Sequence, residues 1–534
     1  MKRILMGSAA IVAALIVSVG CSNQGGFSKR TQEGKENVFR YPIVTNPTSL
    51  DPGIVQDGDT IDLVQNMYEG LVAYGEQNTI IPILAESWDI SEDGRTYTFK
   101  IKKGVKFHDG NELTAEDFKW TIERNTEPSF NSETAFQYLT DIVGVSEKLE
   151  GRAKEVSGVQ VVDPYTLKIT IDEPRPYFLG KLCYPVSWAM SRHSTPATEV
   201  TSPDQIAGTG PFKLKQFVAN QLAVQEAFDD YWGGRPNIDA IERPVIGDAA
   251  TRLNKYRSGE IDLVMLERQD VPTLQQDPEL KDQLKFFPRP SVWFLALNCT
   301  TYEPFKDARV RRAVALAVDR DKIVNEILGG VNQIAYGMIP PGVPGFRDDY
   351  RGLPYDPETA KRLLAEAGYE DASKMPRLEL IIRENRPDIR IVAEAVQSQL
   401  SETLKMPITI RTMEWRSMIE RINRRETDFS HRRWAADYLD PENFISFMGA
   451  SYGVENKVNY SNPALDQLTR AGDTEMDEAR RLPLYQQAED IMVNDAAYVP
   501  IYFQRDAELI SPRVKGLRES VFGHLPHTKV TLGQ

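Results

Sequence analysis

The sequence predicts an α/β protein, on three observations. Short runs in the first third alternate apolar and polar residues with the period of a half-buried strand. Runs in the second half place apolar residues at the 3.6-residue period of amphipathic helices. In that second half, helix and strand signals follow one another in turn.

Taken in order, the N-terminus comes first. Lys2 and Arg3 precede the uncharged stretch ILMGSAAIVAALIVSVG, residues 4–20, with the small residue Gly20 at its end, the pattern of an export signal. Cys21 follows, and SVGC resembles a bacterial lipobox, in which the cysteine is acylated and becomes the mature N-terminus; an uncleaved membrane anchor is the alternative. The polar, Gly-containing stretch behind it reads as a flexible tether, which assigns residues 1–20 to the signal and 21–36 to the tether. Two or more acyl chains would hold the body stably at a membrane outside the cytoplasm.

In RTYTFKIKKGVKFHDG, Tyr97, Phe99 and Ile101 alternate with Thr98, Lys100 and Lys102, a half-buried strand; TLKITID repeats the pattern with Leu167, Ile169 and Ile171. Between them TAEDFKWTIER opens a helix at Thr114, with Asp117 at the capping-box position. SVWFLALN alternates, so Trp293 and Phe294 point to opposite faces and only one can face a given cleft. In DARVRRAVALAVDRDKI, Val310, Ala313, Val314, Ala317 and Val318 share one helical face. YDPETAKRLLAEAGY is a complete helix, with Asp356 as cap, Pro357 in the first turn, Leu363 and Leu364 inward and Gly368 at the end. PDIRIVAEAVQSQLSETL keeps Ile389, Val392, Val396 and Leu400 in register, and MPITIRTMEW then alternates as a strand ending at Trp415. Helix then strand, repeated, predicts an α/β lobe over about residues 291–502.

The 534 residues suffice for two or three domains, and 41% hydrophobic with 26% charged content is that of a soluble globular chain. Beyond the N-terminus no stretch approaches a membrane span. The net charge is −14; losing residues 1–20, which hold two basic groups and no acid, leaves −16. So acidic a body argues against nucleic acid or anionic lipid as main partner. With Cys21 acylated, Cys183 and Cys299 remain, as a bridge or as two isolated thiols.

Catalytic signals are thin. His108, His193 and His431 are scattered, and His524 with His527 in HLPH lacks a third metal ligand nearby, so it reads as loop or tail. No Gly-rich phosphate loop and no G-x-S-x-G elbow occurs, and GTGPF, residues 208–212, is a turn. Asp437 and Asp440 are an acid/base pair by spacing alone, a weak signal. No catalytic residue, metal or cofactor is therefore expected. Binding explains more: RRWAADYLDPENFISF, residues 432–447, sets carboxylates among aromatic and small apolar residues, which suits a cleft for an organic ligand.

Over about residues 40–520 the chain resembles the family 5 solute-binding proteins of ABC importers, the group of oligopeptide- and dipeptide-binding proteins. The likeness runs in order through SLDP (49–52), MYEGL (67–71), AESWDISEDGRTYTFKIKKGVKFHDG (85–110), LTAEDF (113–118), GTGPFKL, YWGG (231–234), YRSGEID (256–262), DARVRRAVALAVDR (307–320) and VPIYF (499–503). The resemblance implies a two-lobed periplasmic binding protein fold (class II, cluster C type) with an extra subdomain in lobe I. Lobe I would take 37–78, 198–290 and 503–534, the extra subdomain 79–197 and lobe II 291–502, with hinge crossings near 290 and 502. Ligand would be enclosed as the lobes close.

In peptide-binding members an aspartate three residues after a tryptophan receives the ligand's α-ammonium, and Trp434 and Asp437 match that pattern. The backbone at Arg433 and Ala435 would pair with the ligand main chain as an added strand does. A tryptophan 19 residues upstream belongs to the pattern, and Trp415 stands there. In dipeptide binders an arginine before the preceding helix binds the ligand carboxylate; Arg383 is at the matching place, with Arg386 and Arg390 as alternatives. Trp293 or Phe294 would add a wall. The implied protein is a lipid-anchored monomer that delivers short peptides to membrane permease subunits, without cofactor or nucleic acid. A receptor for an oligosaccharide, nickel chelate or haem, a peptide sensor, and a peptidase on the same fold are the other readings.

Overall fold

The computed structural model describes residues 37–384 and 387–533. The leader, Cys21, the tether and Arg386 lie outside the described residues. Among the described residues no helix is long and apolar enough to cross a membrane.

Strands and helices alternate as the periodicity predicts. Thr96–Ile101 and Thr166–Thr170 pair antiparallel within a four-stranded sheet with Ala85–Ile90 and Val159–Asp163, and Tyr97, Phe99, Leu167 and Ile169 are buried on its inner face. Ala115–Asn125 packs beside it behind the capping box of Thr114 and Asp117. These elements share one core, which runs from Leu71 to Ala189 and takes in a single residue from far along the chain, Tyr438. A second four-stranded sheet orders Val38–Arg40, Ala240–Pro244, Leu222–Ala227 and Phe212–Val218.

The largest sheet orders Leu263–Met265, Tyr498–Ile510, Leu284–Leu297, Phe429–Ala435, Leu378–Arg383 and Ile408–Met413. Two of its strands are long and belong to different cores at their two ends. Leu284 packs with Ala507 and Leu509, whereas Leu295 and Leu297 pack with Val499 and Ile501. Between these halves the antiparallel register slips from Pro288↔Arg505 to Val292↔Phe503.

Helices cover the last three strands. Asp356 accepts from the Thr359 N–H to open Pro357–Glu366, and Gly368, at φ +90°, ends that turn in a conformation glycine adopts without a Cβ penalty. Ile389, Val392, Val396 and Leu400 of Pro387–Leu404 are buried as expected. Two expectations are corrected. The strand from Ile408 stops at Met413, because Glu414 accepts from the Arg416 and Ser417 N–H groups and so caps a helix that begins at Trp415. The helix from Ala308 stops at Ala317, where Val318 is extended and the Arg320 guanidinium turns inward to the Pro500 carbonyl at 2.7 Å.

Candidate functional site

Phe429–Ala435 positions the site. Its pleat sends His431 and Arg433 to the face of Trp293, with the His431 ring 5.2 Å from that indole. Arg432 and Trp434 go to the opposite face, over Phe294 and beside Phe447. One edge of this strand is fully paired to Leu284–Leu297, from Phe429 to Ala435. On the other edge Leu378–Arg383 pairs only with Phe429 and Ser430, so among the described residues positions 431–435 carry no strand there.

Just past the strand the chain is tied down by Asn443. Its Oδ1 accepts from the Trp434 indole N–H at 3.2 Å and from the Asp437 backbone N–H at 3.1 Å. The Pro290 carbonyl accepts from the Ala436 N–H at 2.8 Å. Asp437 then turns its carboxylate toward the hydroxyl of Tyr138, whose ring stacks on Tyr184 at 4.0 Å. No lysine or arginine pairs with Asp437 among the described residues. Burial pushes its carboxyl up to about 7, against the pull of the Tyr138 hydrogen bond and with a further push from the charge of Glu455.

The following residues pack against the core formed by residues 71–189. Tyr438 packs into the core of residues 71–189 and stacks on Tyr177 at 5.8 Å, and the Leu439 N–H donates to the Tyr74 hydroxyl at 2.9 Å. A Cβ at Gly180 would lie 2.9 Å from the Tyr438 Cβ, so glycine is what lets the two segments meet. Asp440 is no partner for Asp437: its two oxygens accept from Arg481 at 2.5 and 2.7 Å, a buried fork that holds the loop. A cavity of about 230 Å³ lies beside the strand end, lined by Pro288, Arg289, Gln333, Pro341, Phe503, Gln504 and Arg505.

Known proteins can now be set against this geometry. The profile of the bacterial extracellular solute-binding proteins, family 5 (middle), matches residues 79–456. The chain belongs to this family. Heme-binding protein A of Haemophilus influenzae is 29% identical over 97% of this chain and 98% of its own length. The periplasmic oligopeptide-binding protein OppA of Escherichia coli is 31% identical over 88% of this chain and 87% of its own. Among solved structures, the E. coli murein tripeptide-binding protein MppA superposes with a TM-score of 0.81 at 26% identity, covering 94% of this chain and 99% of that one. Its unliganded open form gives 0.74 at 26% identity, covering 93% and 98%. This family 5 protein thus has the two-lobed periplasmic binding protein fold.

The other residues singled out from the sequence of this solute-binding protein fall into three groups. Arg383 and Trp415 come together, with the guanidinium 4.6 Å from the ring centroid of a tryptophan that is 43% exposed. Arg433 is exposed and donates to the Gln504 Oε1 at 3.2 Å, the same atom that accepts from the Trp293 indole at 3.0 Å. Trp293 is 4% exposed and Phe294 0%, so both pack in cores in this arrangement and the expected wall is not formed by either; Gln504, in front of Trp293, lines the cavity instead. Arg390 pairs along its helix with Glu394 at 2.9 Å. Tyr138, Tyr184 and Asn443 escaped the sequence reading. The tyrosines lie 299 and 253 residues before Asp437 in the chain, whereas Asn443 follows a capping aspartate and proline, a turn signal that was available.

Cys183 and Cys299 are both free. His524, Glu508 and Glu519 form the one group of three metal-type side chains among the described residues. The carboxylates flank the ring from opposite nitrogens, Glu508 2.9 Å from Nε2 and Glu519 3.0 Å from Nδ1, and Arg289 stands 3.6 Å from Glu508. That is an imidazolium held between two anions, and against the burial that opposes its charge they hold its pKa up, at about 10. His527 takes no part; its Nε2 is 2.7 Å from the Tyr41 hydroxyl.

Proposed function

We propose that this protein is the receptor of an ABC importer, that it captures short peptides by their free amino end between two closing lobes, and that it hands them to membrane permease subunits. The observation that carries the reading is Asp437: a carboxylate enclosed by Tyr138, Tyr184, Trp434 and Asn443, with no cation paired to it among the described residues. A buried anion without a partner is unfavourable unless something brings the opposite charge. An α-ammonium does so, and offers hydrogen-bond donors to both carboxylate oxygens. The unpaired strand edge at 431–435 supports main-chain recognition, since a peptide can add there as a further strand with Ala435 and Arg433 as its backbone partners. Arg383, stacked on Trp415 near the end of the adjacent strand, is the assigned carboxylate receptor. Main-chain and terminal groups are common to all peptides, so such a site tolerates many side chains.

The lobe boundaries belong to the same reading: lobe I from 37–78, 198–290 and 503–534, its extra subdomain from 79–197, and lobe II from 291–502. The register slip between Pro288 and Val292, opposite Arg505 and Phe503, supports a hinge there. The higher TM-score against one form of MppA than against its unliganded open form supports a closed arrangement. The likeness to OppA, an oligopeptide-binding protein, supports the ligand class. A body held to a membrane by acylated Cys21, acting as a monomer and carrying out no chemistry on its cargo, completes the assignment. Native mass spectrometry of the purified protein tests it. Co-purified peptides that leave on unfolding are the expected result, and a haem, a sugar or a metal chelate in their place would refute it.

A further inference from the structure

Asp437 is not the only charge in this region that lacks a partner. Arg432 stands two residues before Trp434 on the same face, half-buried, with its guanidinium carbon 5.9 Å from the centroid of the Phe294 ring. Its Nη1 is buried and bonds to nothing among the described residues, and burial pushes its pKa down. Arg481 is matched to Asp440 and Arg289 to Asp506, each at 2.5 Å, and the buried Arg320 is answered by the Pro500 carbonyl at 2.7 Å. Tyr498 and, after it, Glu455 act on Arg432 against its burial; Glu455 is the one carboxylate among them and also acts on Asp437, yet it makes its ion pair with Lys457, 3.6 Å away. With Glu455 answered by Lys457, the guanidinium has no carboxylate of its own among the described residues, on the same strand end as an anion with no cation of its own.

Asn443 is wholly buried, and its Oδ1 is fixed by the two donors it accepts, from Trp434 and Asp437. Its amide Nδ2 faces the Tyr438 hydroxyl. Buried charges in folded proteins are as a rule paired, so an anion and a cation left without a counter-ion of their own on one strand end, among the described residues, mark a place where the partner comes from outside. What they ask for is a cation at Asp437 and, one pleat further along the strand, an anion or strong acceptor.

We propose that Arg432 is a second charge receptor of the cleft, for an acidic side chain on the ligand residue whose free amine sits at Asp437. The assignment rests on Asp437 being the ammonium site. Two residues of strand set Arg432 about 7 Å from Trp434 along the chain, so the longer arm of glutamate reaches it more readily than that of aspartate. The planar fork of arginine accepts such a carboxylate through two parallel bonds. The receptor would then combine tolerance along most of the peptide with a preference at its first position.

Calorimetry with the tripeptide Glu-Ala-Ala, and with the same peptide methylated on its side-chain carboxyl, tests this. The free acid is expected to bind roughly 10- to 100-fold more tightly than the ester, the worth of a hydrogen bond to a charged group. In the Arg432→Met protein that ratio falls to near one. Equal binding of acid and ester by the wild-type protein overturns the proposal, and so does an Arg432→Met protein that keeps the ratio. The wild-type comparison decides the matter even if the variant misfolds. N-acetylation of both peptides separates this failure from that of the underlying reading: binding lost on acetylation but blind to the side-chain charge overturns the role of Arg432 alone, and binding indifferent to acetylation overturns the ammonium site.

Discussion

Replacing Asp437 by asparagine separates charge from shape. The side chain keeps its size and an oxygen for the Tyr138 hydroxyl, but it no longer attracts an ammonium group. The expected loss follows from the carboxyl itself. Its rise from 3.8 in water to about 7 means that holding it ionised in the empty site costs about 4 kcal/mol, an upper figure because the residue is only half-buried. Breaking a buried ion pair independently costs about 3–5 kcal/mol. Both point to ~3–4 kcal/mol, or two to three decades of affinity. Isothermal titration at pH 7.5 with trialanine and its N-acetyl derivative reads this directly. The wild-type protein is expected to lose about 100- to 1,000-fold on acetylation, the Asp437→Asn protein the same with the free peptide, and the combination no more than either alone, since one interaction is removed twice. Binding within about threefold of wild type, or losses that simply add, would refute the reasoning. The empty variant offers a check of opposite sign. A carboxyl whose pKa is raised by folding burdens the folded state only when ionised: not at all below 3.8, fully above about 7. Asp437→Asn should therefore match the wild-type unfolding free energy at pH 4 and exceed it by about 1–3 kcal/mol at pH 8.

Three further outcomes follow. Below pH 7 the empty site holds a proton that must leave when the ammonium arrives, so affinity should fall about tenfold per pH unit, and titration at pH 6 in buffers of different ionisation enthalpy should register close to one proton released. Above about pH 8 affinity falls again as the peptide amine loses its own proton. Arg481→Met leaves the buried Asp440 carboxylate uncompensated, and should lower the unfolding free energy by about 3–5 kcal/mol in a denaturant titration. Asn443→Leu strands the Trp434 indole N–H and the Asp437 amide N–H, and should weaken trialanine binding by roughly 5- to 100-fold in the same calorimetric assay.

Local order was legible because it is written locally. The capping box at Thr114, the cap at Asp356 and the alternation through Tyr97 and Phe99 need only neighbours three or four residues away. The misplaced ends at Trp415 and Val318 show the limit. At Trp415 a glutamate cap competed with strand periodicity, and at Val318 a guanidinium left the helix for a carbonyl 180 residues distant. Trp293 and Phe294 were rightly read as opposite faces, but whether a face meets a cleft or a core depends on what lies above it, and both faces of that strand are covered. For Asp437 the sequence supplied the anion among apolar residues and the family resemblance supplied its meaning. It did not supply Tyr138 and Tyr184, because what encloses the carboxylate comes from a body folded from another stretch of chain.

That origin of the enclosure bears on how the receptor works. Asp437 and Asp440 lie three residues apart on one loop, yet Asp440 is answered by Arg481 and gains nothing from a ligand. On the proposed lobe boundaries Asp437 is desolvated by Tyr138 and Tyr184 of lobe I and flanked by Trp434 and Asn443 of lobe II, so its unfavourable burial would exist only while the lobes are together. Moving them apart would return the carboxylate to water and remove the penalty, which on this reading biases the empty protein toward an open form. A ligand ammonium cancels the same penalty in the closed form. By population shift, a difference of ~3–4 kcal/mol between empty and occupied closed states changes the closed-to-open ratio by two to three decades. On the proposed reading, then, recognition and closure draw on one charge. A permease that distinguishes closed from open receptors would read occupancy through it, and the Asp437→Asn protein should close without ligand, which small-angle scattering of the empty variant would detect as a smaller radius of gyration than that of the empty wild type.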